Sequence, residues 1–157
     1  MTFAFFIGFC LSVVADDPPK PSFSGKVVSI ADGDTITVLV DKTQYRIRLV
    51  GIDAPESKQT FGTKAKKALA DKVFGKEVKV EWSEKDRYKR ILGTIFLENR
   101  WINKEMVEEG WAWHYTYYSK DQALAAAEKA AKESKKGLWD DPNPIPPWEF
   151  RKKKKAK

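Results

Sequence analysis

Two short acidic strings carry the most chemistry in this chain, Asp32-Gly33-Asp34-Thr35 and Asp53-Ala54-Pro55-Glu56. Carboxylates crowded together repel unless a cation or a proton intervenes. Two of them, with backbone carbonyls and water, form a hard-oxygen set suited to calcium. Taken singly, each string reads more simply as turn chemistry, with Asp32 and Asp34 in a bend and Asp53 ahead of Pro55. Neither is an EF-hand, because Thr37 and Thr43 fall where such a loop needs glycine and glutamate. Basic residues complete the set. Arg48 precedes Asp53 by five positions, and Asp86-Arg87-Tyr88-Lys89-Arg90 forms a charged loop. A guanidinium is planar, permanently charged and forked, so it grips a phosphate through two parallel hydrogen bonds. Read alone, Arg90 is more simply a solvated hairpin residue.

These residues meet only if the chain folds in a particular way. Residues 25–31, 34–40 and 43–50 alternate or cluster β-branched residues as strands do, and Asp41-Lys42 makes a tight turn between the second and third. That hairpin sets the start of the second strand beside the end of the third, which makes Asp34 and Asp53 neighbours. On the third strand, Tyr45, Ile47 and Leu49 share one face, and Arg46 and Arg48 the other. Residues 61–74 switch to helical spacing and end at Gly75. Strands follow at 77–82 and 91–97, then a short helix at 102–109 closed by Gly110. Ser119 to Gln122 fits a capping box for an alanine-rich helix that stops at Gly137. The proline-rich stretch 142–147 reads as non-helical surface chain, and the basic run from Arg151 as a disordered tail. The expected class is α+β, a five-stranded OB-fold β-barrel with about three helices, an architecture that commonly binds oligonucleotides.

Bulk properties narrow the field. A length of 157 residues suits one domain, and a net charge of +7 favours a polyanionic partner such as nucleic acid, anionic membrane or acidic glycan. Residues 1–15 are apolar but too short to span a bilayer, and they read as a signal peptide cleaved after Ala15. Residues 16–22 then form a linker, residues 23–148 the domain, and residues 149–157 a basic C-terminal tail. The expected location is secreted or periplasmic, without a transmembrane anchor. Cys10 is the single cysteine and falls in the signal segment, which excludes thiolate metal sites and thiol nucleophiles from the mature chain. His114 is the single histidine, which disfavours Ser-His-Asp hydrolysis and histidine-based nucleases. It reads as structural. Trp111, Trp113, Tyr115, Tyr117 and Tyr118 cluster after Gly110, some for the core and one or two for base stacking. Trp82, Trp101 and Trp139 read as core.

The string from Ile30 to Thr35, the string from Arg48 to Glu56 and the loop from Asp86 to Arg90 resemble, in order and spacing, the staphylococcal nuclease (thermonuclease) family. Asn103 to Gly110 and Lys136-Gly137-Leu138-Trp139 are similar to family segments too, so the likeness runs from about Ser24 to Trp139. The resemblance implies that Asp34 and Asp53 hold Ca2+ by side-chain oxygens and Ala54 by its carbonyl. Glu56 would serve as general base or orient the attacking water. Arg48 and Arg90 would bind the scissile phosphate and steady its transition state. Tyr88, with Tyr115 or Tyr118, would line the nucleotide pocket. The implied activity is calcium-dependent hydrolysis of DNA and RNA at the 5′ P–O bond, leaving 3′-phosphates, by a monomer with no stable protein partner. Three departures accompany it: a shorter segment after Glu56, Ala54 in place of threonine, and Lys89 where glycine often precedes the arginine. If that last position needs positive φ, Lys89 strains the turn. The alternatives are a catalytically silent nucleic-acid-binding OB-fold module, and a basic protein that adheres to anionic polymers through its tail.

Overall fold

The computed structural model describes residues 19–155. The expected signal peptide, its cleavage point, Cys10 and the first residues of the linker lie outside the described residues. Strand β1 (Ser22–Asp32) begins one residue inside the expected linker. It pairs antiparallel with β2 (Thr35–Val40), and β2 with β3 (Thr43–Leu49), through the turn at Asp41, whose φ is 52°. On its other edge β1 pairs with β5 (Glu77–Lys85), which pairs with β6 (Ile91–Leu97). A parallel contact of β3 with β6, Ile47 opposite Ile91 and Leu49 opposite Gly93, closes the five strands into a barrel.

Period-two alternation drives that closure. Val27, Ile36, Val38, Ile47, Leu49, Val78, Val80 and Ile95 point inward and are buried, each contributing roughly 1.5–3 kcal/mol by leaving water. Helix α1 (Gly62–Val73) lays Ala65, Leu69 and Val73 on this core. Helix α2 (Ile102–Glu108) adds Ile102, Met106 and Val107. Its Asn103, fully buried, accepts from the Ile95 N–H at 2.9 Å and donates to the Val50 and Gly93 carbonyls at 3.0 and 3.2 Å. A polar side chain there satisfies backbone groups within β6 and just past the end of β3. Trp82 and Trp101 pack against the core half-buried.

Two-residue strands β4 (Ile52–Asp53), β7 (Arg100–Trp101) and β8 (Trp113–His114) complete the sheets; β7 pairs with β6, and β4 with β8, Asp53 opposite Trp113. His114 is structural: its amide donates to Glu128 at 3.0 Å and its ring Nε2 lies 3.3 Å from the Ser119 hydroxyl. Helix α3 (Gln122–Glu133) is capped by Asp121 and not by Ser119. Asp121 immediately precedes the helix and accepts from the Ala123 and Leu124 amides at 2.8 and 3.1 Å, while the Ser119 hydroxyl accepts the Asp121 amide.

Beyond α3, Gly110 and Gly137 lie back to back, with φ of 75° and 53°, and the Leu138 amide donates to the Gly110 carbonyl at 2.9 Å. A Cβ on Gly110 would sit 2.1 Å from the Lys136 carbonyl oxygen. A short 3₁₀ turn follows at Gly137–Asp140, and then a fourth helix, α4 (Pro147–Lys155). The expectation of a disordered basic tail is corrected here, since residues 147–155 are helical. Pro147 sits at the first helical position, where its missing N–H is harmless, and Trp148 and Phe150 give the lysine-rich segment something to pack with. No helix among the described residues is long and apolar enough to cross a membrane.

Candidate active site

The hairpin β2–β3 brings the two acidic strings together as its geometry demands. Thr35 pairs with Arg48, and the Leu49 amide donates to the Asp34 carbonyl at 2.8 Å, so the ladder runs past β2 to Asp34. Gly33 lets the strings touch: a Cβ there would lie 2.7 Å from the Ala54 Cβ and 2.8 Å from the Ala65 Cβ. The Ala54 amide donates to Asp34 Oδ2 at 2.7 Å. Arg48 Nη2 lies 3.2 Å from Asp34 Oδ2 and 3.0 Å from Asp53 Oδ1. Its Nη1 donates to the Leu49 and Ile52 carbonyls at 2.7 and 2.9 Å. Asp34 and Asp53 therefore share one guanidinium while being 5% and 1% exposed.

Burial, opposed by Arg48 and reinforced by the like charges of Asp32 and Asp53, pushes the Asp34 carboxyl up to about 7. Two buried carboxylates with a shared but insufficient counter-charge are the donor chemistry a hard cation fits. The residues that would hold one are Asp34, Asp53 and the Ala54 carbonyl. No group of three or more acidic, histidine or cysteine side chains is gathered as a metal cage among the described residues.

Glu56 stands just beyond, half-exposed, on a compact turn: its amide donates to Gln59 Oε1, and the Gln59 amide to its carbonyl, both at 2.8 Å. A Cβ on Gly62 would fall 2.0 Å from the Glu56 carbonyl oxygen, so α1 begins directly against this turn. The segment after Glu56 is short and ordered by its own hydrogen bonds.

Arg90 is placed differently. It starts from the strand beside β3, since Ile91 pairs with Ile47. Its guanidinium nonetheless holds Asp86, with both Nε and Nη2 at 2.7 Å from Oδ2. The Asp86 Oδ1 accepts from the Tyr88 and Arg90 amides. Burial opposes ionisation of Asp86, but these bonds outweigh it and hold its carboxyl below the usual range. Lys89 occupies the left-handed region with φ 61° and completes this closed loop. The Arg90 and Arg87 guanidinium groups lie 5.5 and 4.9 Å from the Tyr88 ring centre, and that ring is exposed. The structure thus unites Asp34, Asp53, Ala54, Arg48 and Glu56, and it pairs Arg90, beside β3, with Asp86 and Tyr88.

Tyr115 and Tyr118 meet edge to face at 5.0 Å, the first half-buried and the second exposed. Tyr117, also exposed, extends the row. Burial and the nearby Asp53 charge, partly offset by Arg151, raise the Tyr115 phenol above its ordinary value.

Two residues of α4 enter the site without having been expected from sequence. Trp148 stacks on Tyr115, ring centres 5.3 Å apart and planes within 10°, and meets Trp113 edge-on. Arg151 donates to Glu56 Oε1 at 2.8 Å and to Asp53 Oδ1 and Oδ2 at 3.2 and 2.8 Å. The signals for both were Pro147 as a helix opener and two aromatics just ahead of the basic run.

Comparison with known proteins agrees with this geometry. Residues 46–141, over half the chain, match the family described as Staphylococcal nuclease homologue. A relative named Micrococcal nuclease from Shigella flexneri is 44% identical over 154 residues, covering 91% of this chain and 88% of its own. Protein ParB of Escherichia coli is 41% identical, covering 89% of this chain and 85% of its own. A protein of Haemophilus influenzae named Uncharacterized endonuclease is 44% identical, covering 83% and 74%. With the barrel closed, the acidic pair gathered on Arg48 and the match running through both, the chain belongs to the staphylococcal nuclease family.

Proposed function

We propose that the protein is a calcium-dependent phosphodiesterase that hydrolyses DNA and RNA at the 5′ P–O bond and leaves 3′-phosphates. The observation that carries this reading is the sharing of one guanidinium by Asp34 and Asp53, with Glu56 held at Asp53 through Arg151. Relatives that carry nuclease and endonuclease names support the same chemistry. A phosphodiester resists attack because its charge repels nucleophiles, so the site must supply positive charge where negative charge grows.

A calcium ion held by Asp34, Asp53 and the Ala54 carbonyl would supply part of that charge. Arg48 supplies more from a fixed position, since its carbonyl bonds to Leu49 and Ile52 aim the guanidinium. Glu56 acts as general base, taking a proton from the attacking water. Such transfer typically contributes ~10²–10⁴-fold. Arg90 serves as the second phosphate clamp and must loosen from Asp86 to do so. Tyr88, with Tyr115 or Tyr118, lines the nucleotide pocket. The net charge of +7 draws the polyanionic substrate in. Residues 1–15 direct export to the periplasm or exterior, where the chain works as a monomer.

The test is incubation of purified protein with plasmid DNA and with RNA, in calcium, magnesium or chelator, followed by end-group analysis. The reading expects cleavage in calcium, none in chelator, and 3′-phosphate ends. Retention of nucleic acid without any cleavage would instead establish the silent binding module.

A further inference from the structure

Resting on this nuclease reading, we propose that Arg151 is a further substrate-binding residue, held by the site's carboxylates when no cation is bound and passed to a substrate phosphate when one is. Its guanidinium and that of Arg48 converge on a single oxygen, Asp53 Oδ1, at 3.2 and 3.0 Å. Arg151 also takes Asp53 Oδ2 and Glu56 Oε1, each at 2.8 Å. Three carboxylates assigned to a cation and to the base thus already face two guanidinium groups, so the chain itself supplies most of their counter-charge. A divalent ion brings surplus positive charge to these acids, and one guanidinium must yield.

Arg48 is the one that stays. Its side chain is 14% exposed and it also binds two carbonyls. Arg151 is 39% exposed, and it bonds the Asp53 and Glu56 carboxylates but no backbone carbonyl among the described residues. It yields into a hollow of about 250 Å³ lined by Glu56, Ser57, Lys58, Phe150, Arg151 and Lys154. That hollow gathers three cations around one acid, which suits a phosphate beside the one being cut. The helix need not leave for this exchange. Trp148 stacked on Tyr115, buried Pro147, and Gln59 Nε2 donating to the Ile145 carbonyl at 2.8 Å hold its start in place. Cation and phosphate then help each other: the cation frees Arg151, and the phosphate keeps it from returning. That coupling is reciprocal by thermodynamic necessity.

The test uses Arg151→Gln and Arg151→Lys in the full chain, with melting curves to verify folding. Calorimetry measures calcium affinity without nucleotide, and then affinity for a nucleoside 3′,5′-bisphosphate at saturating calcium. That probe has two phosphates and no diester to cut. Arg151→Gln is expected to bind calcium about tenfold more tightly and the bisphosphate about tenfold more weakly. Arg151→Lys, which lacks the fork, shifts both the same way by less, and it carries the test if the glutamine variant fails to fold. Unchanged or weaker calcium binding overturns the exchange. Bisphosphate binding that is unchanged or tighter overturns it as well, making Arg151 a bystander or a plug. Either result, with wild-type calcium-dependent cleavage intact, leaves the nuclease reading standing. A wild type without such cleavage removes that reading and this inference together.

Discussion

Replacing Arg48 with methionine should destabilise the protein, and by more at pH 8 than at pH 6. The substitution keeps the apolar stem and removes the charge shared by Asp34 and Asp53. At pH 6 the loss is mostly that of the donors to the Leu49 and Ile52 carbonyls, about 1 kcal/mol each. Asp53 keeps Arg151, and Asp34 escapes by holding its proton, since its carboxyl sits at about 7. The sign follows from linkage. A carboxyl raised from 3.8 to about 7 binds its proton more tightly folded than unfolded, so its contribution is complete below about pH 4 and is lost as pH rises through 7. Without Arg48, which lowers it, the folded carboxyl titrates higher still. The variant then goes on losing stability above pH 7, where the wild type has finished. The extra loss is at most ~1.4 kcal/mol per pH unit. The expected difference is about 2 kcal/mol at pH 6 and about 3–4 at pH 8, within the range for breaking a buried ion pair. Urea denaturation of both proteins in chelator at the two pH values measures it. Equal differences at both values would show that Asp34 is not the group holding the proton, and the electrostatic account of the site would fail.

Further outcomes follow from the same geometry. Calcium affinity should fall as the pH drops below about 7, with roughly one proton released per ion, because the ion must displace a proton from Asp34. Calorimetry in buffers of different protonation enthalpy counts that proton. Glu56→Gln should lower turnover by ~10²-fold or more while the melting temperature holds, since Glu56 is half-exposed and its turn is built from backbone bonds; steady-state kinetics with a melting curve checks both. Asn103→Leu should cost about 2–4 kcal/mol in denaturation, because the Ile95 amide and the Val50 carbonyl lose a buried partner. Asp121→Ala should cost about 1 kcal/mol and exceed the effect of Ser119→Ala in the same assay.

Much of this arrangement is legible in residue order. The alternation in residues 25–31, 34–40 and 43–50 sets the inward face of three strands, and a hairpin of that length leaves Asp34 and Asp53 no choice but to be neighbours. The barrel follows because a helix between the third and fourth long strands lets β6 reach β3. Three features are not legible, for separate physical reasons. Ser119 and Asp121 both cap helices well, and only the folded backbone, whose first helical residue is Gln122, decides between them. The pairing of Arg90 with Asp86, four residues back, depends on the closed turn between them, in which Lys89 takes a positive φ that its residue type does not announce. Lysines 152–155 read as solvated charge, and the helix beneath them is stabilised by Trp148 against Tyr115, a contact 33 residues apart in sequence. Tertiary packing overrides local composition there.

The back-to-back glycines at 110 and 137 concentrate a large risk in two hydrogen atoms. The route that carries Trp148 and Arg151 to the site passes through a spot where one polypeptide backbone rests on another. A single methyl group on either residue would wedge the two apart and leave the barrel's oily centre as it was. Alanine at position 110 or 137 should therefore yield a protein whose β-structure survives while its far wall swings loose.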